Sequence, residues 1–160
     1  MGDLIVRAAA AQDAEFLADM LVEAANAPRF ERERAELLAN PEVAGYLDGW
    51  PRTTDLGVVA VDDAPAGAAW LRFFTADAPA FGFVRADIPE LAIGVEAARR
   101  GRGVGRLLLR ALHEAARQQG IRQISLSVDR ANPAARLYLA EGYRVVHHRE
   151  NSDTMLLDLA

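Results

Sequence analysis

The chain has 160 residues, 51% hydrophobic and 26% charged, with a formal net charge of −5. This is the size and balance of one globular domain, with apolar material enough for a core and too little charge bias for disorder. No cysteine is present, which excludes a disulfide framework, a thiol nucleophile and a cysteine-based zinc site, and no run of about 18 apolar residues offers a membrane span.

The N-terminal stretch lacks a basic flank before an apolar core, so no secretory signal is expected and a cytoplasmic location is. Leu4–Arg7 reads as an opening strand. Asp13 is placed to cap a helix whose Phe16, Leu17, Met20, Leu21 and Ala24 share one face, and Pro28 ends it. Glu31–Ala39 predicts a second, highly charged helix that stops before Pro41. Gly45–Asp55 reads as a loop presenting Tyr46 and Trp50 as exposed candidates. Leu56–Val61 and Gly67–Phe74 predict a hairpin about the turn Asp62–Pro65, with Trp70 and Arg72 on one strand face. Phe81–Arg85 reads as a further short strand, and Leu91–Val95 as another, introduced by Pro89-Glu90.

A glycine-rich run follows, and then a long helix over Val104–Gln118. Leu108, Leu112, Ala115 and Ala116 form its apolar stripe, and Gly120 ends it. Ile124–Val128 alternates, with Ser125 and Ser127 on the face opposite Ile124, Leu126 and Val128. Asn132-Pro133 opens a helix that runs to Ala140, with Asn as cap and Pro at the first position. Tyr143–His148 and Thr154–Leu159 predict a terminal hairpin. Strands and helices interleave without repeat or linker, so the expectation is one α/β domain spanning residues 1–160.

Charge is unevenly spread. Residues 1–98 hold 7 Arg and 17 Asp/Glu, and residues 99–160 hold 11 Arg and 6 Asp/Glu, giving −10 and +5. That asymmetry suggests an anion for the second half and a cation for the first. Every basic residue is Arg, so lysine chemistry is excluded.

The run Arg99–Arg106 reads RRGRGVGR. The dinucleotide fingerprint G-x-G-x-x-G fails in both frames, because Arg106 and Leu108 stand where its last glycine belongs. The P-loop fails for want of a lysine. A nucleic-acid patch sits poorly in a chain with a pI near 5.2. A strand, a glycine turn and a helix N-terminus together suit a pyrophosphate, bound by unpaired N–H groups and the positive end of the helix dipole. The chemistry alone does not say which nucleotide. His113 and the neighbours His147 and His148 lack metal-ligand spacing, so no metal is expected.

Arg100-Gly-Arg-Gly103-Val-Gly105 resembles R/Q-x-x-G-x-G/A, the pyrophosphate motif of the GNAT N-acetyltransferase superfamily. Asn132-Pro-Ala-Ala135-Arg-Leu-Tyr138, followed by Gly142-Tyr143, resembles that family's second motif, N-x-x-A-x-x-L-Y then G-F/Y. The likeness is densest over residues 90–143. It implies a mixed α/β fold, with a central sheet whose two middle strands splay apart and helices on its flanks. Acetyl-coenzyme A would lie in that wedge as co-substrate. Its pantetheine would run along Ile93, Gly94 and Val95. Its pyrophosphate would sit on Arg100, Gly101, Arg102, Gly103, Val104, Gly105 and Arg106. Asn132, Ala135 and Tyr138 carry the second motif, with Asn132 and Tyr138 facing the pantetheine and thioester.

The reaction implied is acetyl transfer to a primary amine, on a small molecule or a protein. A strand N–H, of Ile93 or Val95, would polarise the thioester, and Tyr138 would be the general acid. Glu90 is the candidate base. A solvated Glu90 is the competing role, because one residue of register reverses the strand face. Ser125 and Ser127 could hold a water or be ordinary polar residues. The acceptor side would come mostly from residues 1–75 and the terminal hairpin, with Trp70 and Arg72 as candidates and core packing as the competing role for Trp70. The acidic first half suggests a cationic acceptor. Neither nucleic acid nor membrane is expected as a partner, and a homodimer through terminal strands stays open. The alternative function is a non-catalytic acetyl-CoA-binding sensor or interaction module.

Overall fold

One seven-stranded sheet orders the chain in the computed structural model, which describes residues 3–159. The elements run β1 (Ile5–Ala8), α1 (Ala14–Asn26), α2 (Arg34–Ala39), α3 (Pro41–Ala44), β2 (Leu56–Val61) and β3 (Pro65–Arg72). Then come β4 (Glu90–Val95), α4 (Val104–Gln118), β5 (Gln123–Asp129), α5 (Ala134–Ala140), β6 (Arg144–His148) and β7 (Ser152–Asp158). The sheet order is β1-β2-β3-β4-β5-β7-β6. β4 and β5 run parallel, and the other neighbouring pairs are antiparallel. A mixed α/β fold with helices on both flanks is therefore observed, as the sequence predicts.

Alternation along the strands feeds two cores, one on each face. Ala69, Leu71 and Leu91 join Leu108, Leu109 and Leu112 of α4 on one face. Ala68, Trp70 and Ala92 join Leu17, Met20 and Leu21 of α1 on the other. α4 follows its predicted bounds because its buried residues recur at three- and four-residue spacing.

Several expectations change. Phe81–Arg85 is loop, not strand. The second helix starts at Arg34, not Glu31. Its first turn is lost to a clamp, in which Asn26 bonds the backbone N–H and carbonyl of Arg32 while the Arg32 guanidinium reaches the Ala25 carbonyl at 2.6 Å. Pro41 opens the short helix α3, which the sequence reading lacks. Asp13 stands at the start of α1, but its carboxylate points back to Ala10 N–H at 2.7 Å and to Arg7.

The parallel pair β4–β5 is joined at one place. Glu90 stands opposite Ser125, and Ser125 N–H donates to the Pro89 carbonyl at 3.0 Å. No other register pair links the two strands among the described residues, so the sheet opens into a wedge beyond Glu90.

Candidate functional site

The wedge is the floor of a cleft of about 1660 Å³. One wall is β4 with the end of α1 and the loop after it. The other is the latter half of β5 with the start of α5, and the N-terminus of α4 closes one end. α1 lies so close to β4 that a Cβ on Gly94 would stand 2.3 Å from the Met20 carbonyl oxygen. Only glycine fits there. Gly94 thus has a packing reason beside its predicted place along the cleft.

The open edge of β4 carries unused donors. Glu96 N–H reaches β3 at the Ala66 carbonyl, 2.9 Å away. Successive N–H groups of a strand point to opposite edges. Those of Gly94 and Ala92 therefore turn toward β3, and those of Ile93 and Val95 turn into the wedge.

At the start of α4, Gly101 and Gly103 have φ of +76° and +81°. Both lie in the left-handed region, which other residues enter only with strain. A Cβ at either would meet no atom within 4 Å. The glycines are thus needed for backbone shape, and the loop surface they form stays open beside the first-turn N–H groups of α4.

The cleft brings together Ile93, Gly94, Val95, Arg100, Gly101, Gly103, Val104, Gly105, Arg106, Asn132 and Tyr138. Arg102 and Ala135 do not line it. Ala135 packs on the core instead. The arginines are less available than the sequence suggests. Arg100 pairs with Glu23 at 2.6 Å, Arg106 with Glu141 at 3.4 Å, and Arg99 with Asp62 at 2.6 Å. The Asp62 carboxyl is accordingly held well below the usual carboxylate range, chiefly by its bonds to Arg99. Just ahead of α5, whose N-cap position is Pro133, Asn132 spends its side-chain oxygen on Ala134 N–H, 2.9 Å away. A further ion pair joins the two walls of the cleft, with Arg29 gripping Asp129 at 2.7 and 3.0 Å.

Tyr138 is buried and meets Tyr143 edge to face, with centroids 5.8 Å apart. Burial raises its pKa, so the phenol keeps its proton at neutral pH. Glu90 is 2% exposed, which rules out the solvated role. Burial pushes its pKa up to about 7, against lowering by the Tyr46 hydroxyl, the Gly82 N–H and the Arg149 charge. A carboxylate poised near neutrality is suited to proton transfer. Ser125 sits beside it on the same sheet face, fully buried, with no hydrogen-bond partner for its Oγ among the described residues. Ser127 lines the cleft.

Three side chains depart from their expected roles, and a fourth, Trp70, takes the core-packing one. Tyr46 is buried, not exposed, and its hydroxyl donates to Glu90 Oε2. Trp50 is half-buried and bonds the Ala10 carbonyl at 3.0 Å. Trp70 is core, with its indole N–H on the Tyr46 carbonyl at 2.9 Å. Arg72 is buried too, taken up by Asp55 and the carbonyls of Gly45 and Asp48, so it is structural and not part of the cleft. Tyr46 is the site residue the sequence reading misplaced. Its partner lies 44 residues away, and nothing in its local pattern marks it.

His113 is buried on α4 and bonds the Tyr143 hydroxyl at 2.8 Å. Burial pushes its pKa down to about 4. Among the described residues no group of three His, Cys, Asp or Glu is placed to hold a metal, and no helix is long and apolar enough to cross a membrane.

A family model described as an acetyltransferase (GNAT) domain matches residues 52–145. No curated protein matches the sequence. Solved structures of similar fold include the PaiA N-acetyltransferase from Thermoplasma acidophilum in complex with coenzyme A, at 18% identity and a TM-score of 0.66, over 98% of this chain and 99% of that one. Another is YncA, a putative acetyltransferase from Salmonella typhimurium with its cofactor acetyl-CoA, at 21% identity and 0.69, over 98% and 94%. A third is an acetyltransferase of the GNAT family from Streptococcus pneumoniae, at 21% identity and 0.73, over 99% and 100%.

Proposed function

We propose, from the premise that the chain belongs to the GNAT acetyltransferase family, that it moves the acetyl group of acetyl-CoA to a primary amine. The observation that carries this reading is the wedge itself. An open β4 edge, two left-handed glycines and the start of α4 lie along one cleft. These features fit an elongated ligand with an amide-bearing arm and a pyrophosphate. Donors at Ile93 and Val95 suit the arm, and the first-turn N–H groups of α4 with the Gly101–Gly105 backbone suit the phosphates.

Acetyl-CoA supplies the activated acetyl group as a thioester. The chain's own residues supply the rest. The N–H of Ile93 or Val95 polarises the carbonyl, acting as a preorganised donor at the oxygen where charge develops. Tyr138, held neutral by burial, donates a proton to the departing thiolate. Glu90 takes the proton that the incoming ammonium must lose, since alkyl ammonium groups have a pKa of about 10 and arrive charged. The net −10 of residues 1–98 favours a cationic acceptor.

Coenzyme titration followed by a thiol-release assay tests the reading. Saturable acetyl-CoA binding with thiol release on adding primary amines supports it. Saturable binding without turnover of any amine overturns it.

A further inference from the structure

We propose that Tyr46 is a catalytic residue that relays the proton from the acceptor amine to Glu90. This rests on the reading above, in which Glu90 is the base of an amine acetyltransferase.

The difficulty that Tyr46 resolves is access. Glu90 is 2% exposed and does not line the cleft, whereas Tyr46 does. Gly82 helps to seal the carboxylate. Its N–H donates to Glu90 Oε1 at 3.0 Å and to Oε2 at 3.1 Å. Its loop is pressed so hard on β5 that a Cβ would stand 2.6 Å from the Leu126 carbonyl carbon. An amine in the cleft therefore reaches Tyr46 before it can reach Glu90.

The hydroxyl is set up to pass a proton on. It donates to Glu90 Oε2 and accepts from Phe81 N–H at 3.2 Å. A phenolic oxygen has two lone pairs, so one remains for an incoming N–H. The ring is fixed by Phe74 edge-on at 5.3 Å and by Phe81 stacked at 6.3 Å. The backbone is fixed as well, by Trp70 at the Tyr46 carbonyl and by Arg72 at the Gly45 carbonyl.

In the step, the ammonium N–H breaks and its proton goes to the Tyr46 oxygen. The Tyr46 O–H breaks in the same event and its proton goes to Glu90 Oε2. The products are a neutral amine, an unchanged phenol and a neutral carboxylic acid, and the proton returns through Tyr46 to water after the product leaves. No phenolate forms. That is consistent with burial and the Glu90 charge, which hold the Tyr46 pKa well above its ordinary value. The outside charge bearing on the pair is Arg149, beyond β6; Arg72 stands opposite Glu90 in the β3–β4 register, with its guanidinium committed to Asp55. β5 contributes the uncharged Ser125.

The test uses the full chain with acetyl-CoA and a panel of aliphatic mono-, di- and polyamines and amino acids, read by thiol release. No turnover with any amine overturns the acetyltransferase reading, and the relay with it. With the best acceptor, Tyr46→Phe and Glu90→Gln are each expected to lower kcat by about a hundredfold. The double variant should be no worse than either, and KM for acetyl-CoA should stay within about twofold. The wild-type rate in mixed H2O and D2O should curve as for two protons in flight, and that of Tyr46→Phe should be linear. Full activity in Tyr46→Phe with loss in Glu90→Gln overturns the relay and leaves Glu90 as the base. A linear wild-type isotope dependence overturns the relay without any variant, whatever Tyr46→Phe does to folding.

Discussion

Arg72 and Asp55 form a bidentate ion pair sealed from water, with contacts of 2.7 and 3.0 Å and each side chain 1% exposed. Arg72 also holds the carbonyls of Gly45 and Asp48, so the pair pins the loop that carries Tyr46. Removing one partner leaves a buried charge uncompensated, at a cost of about 3–5 kcal/mol. Arg72→Ala should lower the urea-unfolding free energy by that amount. A loss below about 1 kcal/mol would show that the pair is not buried in solution.

Gly94 and Gly103 should both lose stability when substituted, and Gly103 should lose coenzyme affinity as well. Gly94→Ala forces α1 away from β4 and should cost about 1–3 kcal/mol, as overpacking does. Gly103→Glu should cost about 1–2 kcal/mol for its left-handed backbone, but it places a negative charge where phosphates are proposed to sit. Calorimetric titration with coenzyme A should then show affinity down by about tenfold or more. Unchanged affinity would refute that placement of the pyrophosphate.

Tyr138→Phe should separate turnover from binding. With the acid removed, kcat is expected to fall by about a hundredfold, while the Kd for coenzyme A stays within about twofold. If kcat is untouched, Tyr138 only packs against Tyr143.

Glu90 and His113 should oppose one another in the pH dependence of stability. Glu90 titrates at about 7 in the fold against an ordinary 4.5. Its folded state therefore holds a proton that the unfolded chain has lost, and its contribution falls as pH rises across that window. The full loss is on the order of 3 kcal/mol. His113 titrates at about 4 against 6.5. There the unfolded chain binds the extra proton, so stability falls as pH drops from 6.5 toward 4. The two slopes oppose between 4.5 and 6.5. Glu90→Gln should expose the His113 slope, so urea midpoints should fall more steeply on acidification than in the wild type. Parallel profiles would contradict the buried state of Glu90.

Local chemistry accounts for what the sequence makes legible. The α4 bounds follow from glycines at either end and leucines at helical spacing, and the wedge follows from the family resemblance carried by the Arg100–Gly105 and Asn132–Tyr143 motifs. Tyr46 was opaque because its burial comes from Glu90, Trp70, Phe74 and Phe81, none of them nearby in sequence. Arg72 was opaque for the same reason, since its carboxylate partner comes from a different loop. Phe81–Arg85 shows an apolar run misleading in the other direction. Its residues serve the site wall and the seal over Glu90, and its backbone pairs with no strand. Charge runs mislead too, because Arg100 and Arg106 already have carboxylate partners.

The single rung at Glu90 and Ser125 also marks a seam in the sheet's backbone bonding. β1–β4 and β5–β7–β6 are each well-laddered half-sheets, and along the strands one rung joins them. Leu91 of one half shares the core beneath α4 with Leu126 and Leu157 of the other, so side-chain packing, more than backbone bonding, joins the two halves. A ligand lying along the wedge sutures them. At a hundred times its Kd it should add about 2.7 kcal/mol, so limited proteolysis of this chain should slow as acetyl-CoA is added.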